Sequence, residues 1–237
     1  MLEIKNFSKT YPEGKKAVSN LTITVEDGDL YGFIGHNGAG KTTTIKSIVG
    51  ILPFEEGDII INGISVKENP LECKKMLAYI PDNPDLYESL TGLQYLNLIA
   101  DIFRVSVDDR KKSILENAKA FGIESDLNSF ISSYSHGMKQ KLALMAAFVH
   151  NPKLLILDEP FVGLDPKAAF TVKQMMHKFC NDGGSIFFST HVLEVAQKLC
   201  NKIAIIKEGK LIASGTMEEI TKDASLEEVF LELTDNA

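Results

Sequence analysis

A glycine-rich segment containing one lysine and two threonines carries the strongest chemical signal in the sequence. It runs Gly35-His-Asn-Gly-Ala-Gly-Lys-Thr-Thr43 and fits the pattern GxxxxGK[ST]. Glycines let the backbone wrap closely around an anion, so that its N–H groups and the start of the following helix face phosphate oxygens. Lys41 can reach the β- and γ-phosphates of a nucleotide, and the hydroxyl of Thr42 can ligate Mg²⁺. The predicted phosphate-binding residues are Gly35, His36, Asn37, Gly38, Ala39, Gly40, Lys41, Thr42 and Thr43.

Two adjacent carboxylates follow a continuous apolar run, Leu154–Leu157. They are Asp158 and Glu159, and the run that precedes them is typical of a strand covered on both faces. In an open α/β sheet the carboxyl ends of strands face the ligand crevice, so these acids are predicted to lie beside the phosphate loop. One carboxylate on a metal ion and a second that orients or deprotonates a water molecule are what hydrolysis of a phosphoanhydride requires.

His191 is predicted to lie at the same crevice. It follows the buried strand Ser185–Ser189 through Thr190. A neutral imidazole at that place can donate a hydrogen bond to a γ-phosphate oxygen. The remaining histidines are interpreted as ordinary core or helix-capping residues; they are His36, His136, His150 and His177.

Composition excludes several classes of protein. The chain has 237 residues, of which 44% are hydrophobic and 24% charged, and its net charge is −7. These values are typical of a globular protein, and the acidic balance argues against a bulk nucleic-acid binder, though not against a local basic patch. No nucleic-acid partner is expected. No apolar run approaches the ~18 residues of a membrane span, and the polar N-terminal stretch does not resemble a secretory signal.

The three cysteines favour neither a disulfide framework nor a zinc site. Cys73, Cys180 and Cys200 are odd in number, far apart and outside any CxxC pattern. We expect them to be reduced and mostly buried, as in a cytosolic protein.

Around the chemical residues the sequence alternates between strand and helix patterns. Leu30–Ile34 is a short apolar run that leads into the phosphate loop, and helical spacing follows Lys41 until Pro53. This strand–loop–helix context argues against a mere glycine-rich turn with a solvated lysine. Further strands are predicted at 21–25, 58–62, 76–80, 154–157 and 185–189, with a hairpin from 203–206 to 210–213.

The middle of the chain is predicted to be helical from about residue 83 to 150. Thr91-Gly-Leu-Gln94 is a capping box, and Ser135 begins a later helix. Asp165 and Pro166 have the types favoured at the N-cap and first position of another helix. The whole pattern predicts an α/β fold with a largely parallel sheet, interrupted by a helical insertion.

The segment Tyr134-Ser-His-Gly-Met-Lys-Gln140 makes the resemblance specific. Together with Gly163-Leu-Asp165 and Ser189-Thr-His191, in this order, the chain resembles the ATP-binding subunit of an ABC transporter over essentially its whole length. The first segment is similar to the family's LSGGQ signature, in the variant form common among separately encoded export-type ATPases. The stretch Ser225-Leu-Glu-Glu-Val-Phe-Leu231 is similar to the tail of that subgroup, often called ABC-2 type.

The resemblance implies a P-loop NTPase core with a mostly parallel sheet, small antiparallel β elements in the N-terminal part and an inserted helical subdomain. The core is expected to comprise residues 1–82 and 151–215. Residues 83–150 would form the helical signature subdomain, and 216–237 a short C-terminal helical tail.

The resemblance also implies a role for each residue of the site. Asp158 would be the Walker B aspartate and Glu159 the catalytic glutamate, while Lys41 and His191 would act on the γ-phosphate. Asp165 would be the D-loop aspartate. Two further contacts are implied: Ser135 and Gly137 would touch the γ-phosphate of ATP held by the other subunit, and Tyr11 would stack on adenine.

One position departs from the family pattern. The segment Ala78-Tyr-Ile-Pro-Asp82 has Asp82 where a glutamine is usual, near the metal and the transmembrane contact. Aspartate can take a Mg²⁺ position directly or through water, but it cannot donate a hydrogen bond when ionised. The predicted metal ligands are therefore Thr42, Asp158 and Asp82. Within the signature, His136 and Met138 replace a glycine and a glutamine.

The function implied is an ATPase subunit that closes head to tail on two ATP molecules, as a homodimer or heterodimer, with Mg²⁺. It would drive a separately encoded transmembrane permease, with export favoured by the subgroup, from the cytoplasmic face of the membrane. The alternatives are a soluble ABC-type ATPase acting on nucleic acid or ribosomes, a small-molecule P-loop kinase and an inactive scaffold subunit. The transported substrate is not encoded in these residues.

Overall fold

A computed structural model describes residues 1–12, 14–222 and 224–235, with the side chain of the last residue left out. The predicted tail 216–237 thus includes three residues that lie outside the described ranges. The strands are β1 Leu2–Thr10, β2 Lys16–Val25, β3 Leu30–Ile34, β4 Glu56–Ile61, β5 Ile64–Ser65, β6 Leu77–Ile80, β7 Leu154–Asp158, β8 Ser185–Thr190, β9 Lys202–Lys207 and β10 Lys210–Thr216. The helices are α1 Lys41–Ile48, α2 Pro70–Met76, α3 Gly92–Ile102, α4 Val107–Phe121, α5 His136–Val149, α6 Pro166–Asn181, α7 Leu193–Leu199, α8 Met217–Thr221 and α9 Leu226–Asp235.

The larger sheet is mostly parallel, as predicted. Its strand order is β10-β9-β3-β8-β7-β6, and only the pair β9–β10 is antiparallel among its described strands. β3, which leads into the phosphate loop, lies between β8 and β9. The register pairs Ile34 with Thr190 and Asp158 with Ser189. The carboxyl ends of β3, β7 and β8 therefore meet at one edge of the sheet, where the predicted chemical residues lie.

Both faces of this sheet are covered, which explains its continuous apolar strands. In β7, Leu155 and Leu157 belong to a core shared with the helices α3–α7. The alternate residues Leu154 and Ile156 belong to a second core, shared with α1 and the smaller sheet. The period of two along a strand therefore divides its side chains between two hydrophobic layers.

The smaller sheet is antiparallel, with strand order β2-β1-β4-β5. The expectation of antiparallel β elements in the N-terminal part is confirmed. β1 lies between β2 and β4 but was not among the predicted strands. Its pairing with β2 is irregular after Ile4, and Asn6 has a positive φ of 48°, so the alternation of buried and exposed residues is broken.

The segment between β6 and β7 contains α3, α4 and α5, as predicted, with two short 3₁₀ turns at Glu124–Asp126 and Ile131–Ser133. The capping box at Thr91 is confirmed, and Ser135 caps α5 by accepting a hydrogen bond from the N–H of Met138. The buried side chains of these helices join the core on one face of the larger sheet. Among the described residues, every helix is too short or too polar to span a lipid bilayer.

Candidate nucleotide-binding site

The phosphate loop forms the floor of a cleft of about 450 Å³ at the carboxyl edge of the larger sheet. Gly40 has φ 109°, and a Cβ atom there would lie 2.7 Å from the carbonyl oxygen of Ala17, so this position requires glycine. The cleft is lined by Tyr11, Lys15, Lys16, Ala17, His36, Asn37, Gly38, Gly40, Lys41, Thr42, Thr43, Asp82, Asp158, Glu159 and Glu208.

Lys41 is almost fully buried in this floor. Its ammonium donates hydrogen bonds to the carbonyl of Gly35 at 2.6 Å and to that of His36 at 3.3 Å. Glu159 Oε1 lies 3.8 Å from the same nitrogen. Burial lowers the pKa of Lys41, and the carboxylates of Glu159 and Asp158 partly oppose that shift. The ammonium is thus fixed at the centre of the cleft, where a phosphate group would meet it.

Asp158 is held by hydroxyl groups from two different elements. Thr42 Oγ1 donates to Asp158 Oδ2 at 2.9 Å, and the buried hydroxyl of Ser189 donates to Asp158 Oδ1. Sequence reasoning missed Ser189 as a functional residue, although it opens the quoted segment Ser189-Thr-His191. The sequence shows a serine at the predicted end of a buried strand, but not that this strand lies beside β7 with Ser189 paired to Asp158.

Glu159 has a strained backbone, with φ 50° in the left-handed region. Its N–H donates to the carbonyl and the hydroxyl of Ser189, at 3.2 and 3.3 Å. These contacts turn the side chain into the cleft, where Oε1 lies 2.8 Å from His191 Nδ1. A non-glycine residue in this region is disfavoured, so the surrounding contacts must hold it there.

His191 lies beside Glu159 and its side chain is half-exposed, but it does not line the cleft. A carboxylate accepts hydrogen bonds, so the proton on this ring lies on Nδ1 when it contacts Glu159. In the neutral ring Nε2 is then an acceptor. Donation from Nε2 to a phosphate, as predicted, therefore requires a second proton on the ring or release of the Glu159 contact.

The oxygen atoms near Asp158 fit a magnesium ion. Mg²⁺ is typically bound by one or two carboxylates together with substrate phosphates and water. The Thr42 hydroxyl and the Asp158 carboxylate are adjacent, and Asp82 lines the same cleft. Across the described ranges, no three or more histidine, cysteine, aspartate or glutamate side chains are grouped to hold a metal by themselves. The donor set therefore suits an ion that also binds the nucleotide.

Tyr11 lies at the edge of the cleft, where an adenine ring could stack. It is 36% exposed, and its hydroxyl lies 3.2 Å from Thr43 Oγ1. Lys15 and Lys16 also line the cleft and were missed in the sequence. The sequence shows these two lysines shortly after Tyr11, the residue predicted to stack on adenine. Their positive charge complements that of a triphosphate.

Ser135, Gly137 and Asp165 are not in this cleft. They lie on a second surface, where the start of α5 packs against the loop before α6. The ring of His136 occupies the space beside Gly163, because a Cβ on that glycine would lie 2.2 Å from His136 Cδ2. Asp165 accepts the N–H of Ala168 at 2.8 Å as the cap of α6, a contact that lowers its pKa.

The turn at Gly209 fastens the phosphate loop to the smaller sheet. The Gly209 N–H donates to the carbonyl of Ala39 at 2.9 Å, and its carbonyl accepts the N–H of Ser19 at 2.8 Å. A Cβ at this position would lie 2.5 Å from the carbonyl oxygen of Ala17. Sequence reasoning identified the hairpin but not this contact with the loop.

The sequence model of the family described as "ABC transporter" matches residues 18–162. The chain belongs to the ABC transporter family. This ABC protein is 37% identical to the ABC-type transporter ATP-binding protein EcsA of Bacillus subtilis, over 99% of its own length and 96% of that protein. It is 34% identical to the bacitracin transport ATP-binding protein BcrA of Bacillus licheniformis, over 94% and 72% of the two lengths.

Solved structures agree with this assignment. An ATP-binding subunit of an ABC transporter superposes with a TM-score of 0.95 at 37% identity, over 99% of both chains. A dimeric ATP-binding cassette in a post-hydrolysis state with ADP and phosphate gives 0.83 at 26% identity, over 92% of this chain and 99% of that one. The chain is therefore the ATP-binding subunit of an ABC transporter and hydrolyses ATP, which sets aside the small-molecule kinase alternative.

Proposed function

We propose that this ABC ATPase pairs head to tail with a second copy of itself on two ATP molecules and drives a separately encoded membrane permease in the direction of export. The permease would hold it at the cytoplasmic face of the membrane. The observation that carries the proposal is the separation of two half-sites in one chain. Lys41, Asp158 and Glu159 share the cleft, whereas Ser135 and Gly137 lie on another surface.

In this proposal the core and the helical subdomain have different tasks. Residues 1–82 and 151–215 form the core that holds ATP, and 83–150 form the subdomain that presents the signature to the partner's ATP. Residues 216–237 form the tail. A head-to-tail pair makes each catalytic site from the cleft of one copy and the signature of the other.

Hydrolysis would follow from the groups at the cleft. Lys41 neutralises charge on the β- and γ-phosphates, and Glu159 accepts a proton from the water that attacks the γ-phosphate in line with the leaving ADP oxygen. Asp158 and Thr42 would hold Mg²⁺, with Asp82 lining the same cleft, and the ion would supply positive charge to offset that of the phosphates. His191, now on Glu159, would turn to the γ-phosphate when ATP arrives.

The permease contact is proposed at an apolar groove of about 390 Å³ between β6, α3 and α5. Tyr79, Phe103 and His150 line it, and the rings of Phe103 and His150 stack at 3.7 Å. Pro81 and Pro84 line the groove while Asp82, between them, lines the ATP cleft. One short loop thus touches both surfaces, so a helical permease segment with apolar side chains seated there would sense the nucleotide.

Export is proposed from the relatives. The names of two of them refer to linearmycin resistance and bacitracin transport, at 31% and 34% identity to this chain.

The test of the shared site is complementation between two inactive variants. Lys41→Ala removes the buried ammonium from the floor of the cleft. Ser135→Asp keeps a residue that caps α5 but adds a negative charge toward the partner's phosphate. Each variant alone is expected to be inactive, while a 1:1 mixture recovers about a quarter of the wild-type ATPase rate, because half of the dimers are mixed and each has one intact site.

The matched control places both changes in one chain and mixes it with wild type. Every mixed dimer then lacks an intact shared site, so the ATPase rate falls below half of the rate of the same total amount of wild-type protein. If each chain instead carried its own complete site, the first mixture would stay inactive and the second would keep half of the activity. That pair of results would overturn the head-to-tail proposal.

A further inference from the structure

The C-terminal helix α9 is held on the core of the protein. Leu226 is fully buried, and its N–H donates to Gln197 Oε1 of α7 at 3.1 Å. Phe230, one turn further on, is 4% exposed. The ammonium of Lys207, at the end of β9, donates to the carbonyl of Thr234. α9 is therefore fixed at both ends next to the carboxyl edge of the larger sheet.

From this position α9 contacts the phosphate loop. The ring of Phe230 meets the ring of His36 edge-on, with centroids 4.9 Å apart and an interplanar angle of 67°. His36 is the second residue of the loop, and its carbonyl accepts a hydrogen bond from the Lys41 ammonium at 3.3 Å. Phe230 is thus two contacts away from the lysine in the centre of the cleft.

The contact falls on the exposed part of the loop, whose backbone is held by the hydrogen bond from the N–H of Ala39 to the carbonyl of His36 at 3.1 Å. Ala39, at the far end, is held by Gly209. His36, Asn37 and Gly38 are exposed, and a Cβ on Gly38 would meet nothing within 4 Å. A ring pair in this geometry is attractive beyond the area that it buries. The Phe230 ring therefore restrains the exposed half of the loop in the observed arrangement.

We infer that Phe230 is a positioning residue for ATP binding, which sets the phosphate loop through the ring of His36. The inference rests on the proposed role of the loop in holding the triphosphate. When only a fraction of the free protein has the competent loop, the apparent Kd rises in proportion to the loss of that fraction. Phe230 keeps the fraction high without touching the nucleotide.

The first experiment compares two variants of the full chain, Phe230→Leu and Leu231→Ala. Leucine keeps an apolar side chain in the buried position but loses the ring edge, whereas Leu231 is half-exposed on the same helix. We expect Phe230→Leu to weaken binding of a non-hydrolysable ATP analogue by about three- to tenfold, from the strength of an aromatic pair. KM for ATP rises similarly, kcat at saturating ATP stays close to wild type, and Leu231→Ala changes neither.

The second experiment tests whether the effect passes through His36. His36→Ala alone is expected to weaken binding as well, and the double variant with Phe230→Leu is expected to be no weaker than the worse of the two. Fold-losses that multiply in the double variant would overturn the inference. So would a Phe230→Leu protein that melts at a lower temperature without nucleotide but binds the analogue with wild-type affinity.

A Lys41→Ala variant separates this inference from the proposed function. If it binds the analogue as tightly as wild type, the loop does not hold the triphosphate and the proposed function fails with it. If it loses binding while Phe230→Leu has no effect, the inference alone fails.

Discussion

Asp158 and Glu159 are neighbours in sequence, but different forces place them. Asp158 ends β7 with a regular backbone and takes hydroxyl hydrogen bonds from Thr42 and Ser189. Glu159 leaves the strand with a positive φ that only its surroundings can maintain. The apolar run before the pair was enough to predict that both acids lie at the crevice. The strain has no signature in the local sequence, and the role of the Ser189 hydroxyl follows only once β8 is known to lie beside β7.

Ser189 provides the prediction at this scale. Ser189→Ala leaves Asp158 Oδ1 without its donor in a buried place. Because Asp158 is the proposed metal ligand, we expect the ATPase rate to fall about tenfold, as is typical when a hydrogen-bond partner of a metal ligand is lost. The free energy of unfolding should also fall by about 1–3 kcal/mol. Steady-state kinetics and denaturant unfolding measure the two effects.

Ser185 is the matched control for that prediction. It lies at the other end of β8, is equally buried, and donates to the carbonyl of Glu26 at 2.9 Å. Ser185→Ala should cost similar stability but leave the ATPase rate near wild type. Equal kinetic losses in the two variants would show that Ser189 acts only through the fold.

At the scale of elements, the patterns predicted what has a strong local signal. The capping box at Thr91 and the Asp165–Pro166 helix start are confirmed, because side-chain caps act within one turn. The helix after the phosphate loop was predicted to continue to Pro53 but ends at Ile48. β1 was missed because its buried and exposed side chains do not alternate regularly. It is recognised as a strand only from its pairing with β2 and β4. Pairing between distant strands decides such cases.

The central strand β3 gives the prediction for an element. A Cβ atom on Gly32 would lie 2.7 Å from the Cys200 sulfur and 3.3 Å from a methyl group of Ile203. Gly32→Ala should therefore lower the free energy of unfolding by about 1–3 kcal/mol, as overpacking typically does. Denaturant unfolding followed by circular dichroism measures the change.

A second substitution shows whether the clash is the cause. Cys200→Ala removes the sulfur and, placed with Gly32→Ala, should recover part of the lost stability, even though it is destabilising alone. Strictly additive losses in the double variant would mean that the sulfur is not what opposes a side chain at position 32.

At the scale of the molecule, the two hydrophobic cores contain residues from both the N-terminal and the C-terminal half of the chain. The helical segment between β6 and β7 shares a core with strands that come before and after it in sequence. The parallel arrangement could be predicted, since helices alternate with buried strands. The position of the start of α5, the proposed second half-site, relative to the cleft could not be derived from patterns along the chain, because it depends on how that segment packs.

The reactivity of the three cysteines tests whether the two hydrophobic cores are closed to solvent. All are free and buried, and burial raises the pKa of Cys73 and raises that of Cys180 to about 12. Burial raises the pKa of Cys200 as well. At pH 8 these thiols are protonated, and the thiolate is the reactive form, so iodoacetamide should label the native protein very slowly.

Unfolding in denaturant should expose all three cysteines to the same reagent, as counted by mass spectrometry. Rapid modification of Cys180 or Cys200 in the native protein would show that the layers open readily, and would contradict the burial described above.

The hairpin turn at Gly209 has a mechanical consequence. Gly209 bonds Ala39 through its N–H and Ser19 through its carbonyl, so this end of the phosphate loop cannot move outward unless both sheets move with it. Both hydrogen bonds use backbone atoms only, and any side chain at position 209 would clash with the backbone of Ala17 and disrupt them. In the proposed site, a triphosphate therefore binds to a loop that is already ordered at that end, and little of its binding free energy is consumed in arranging the chain there.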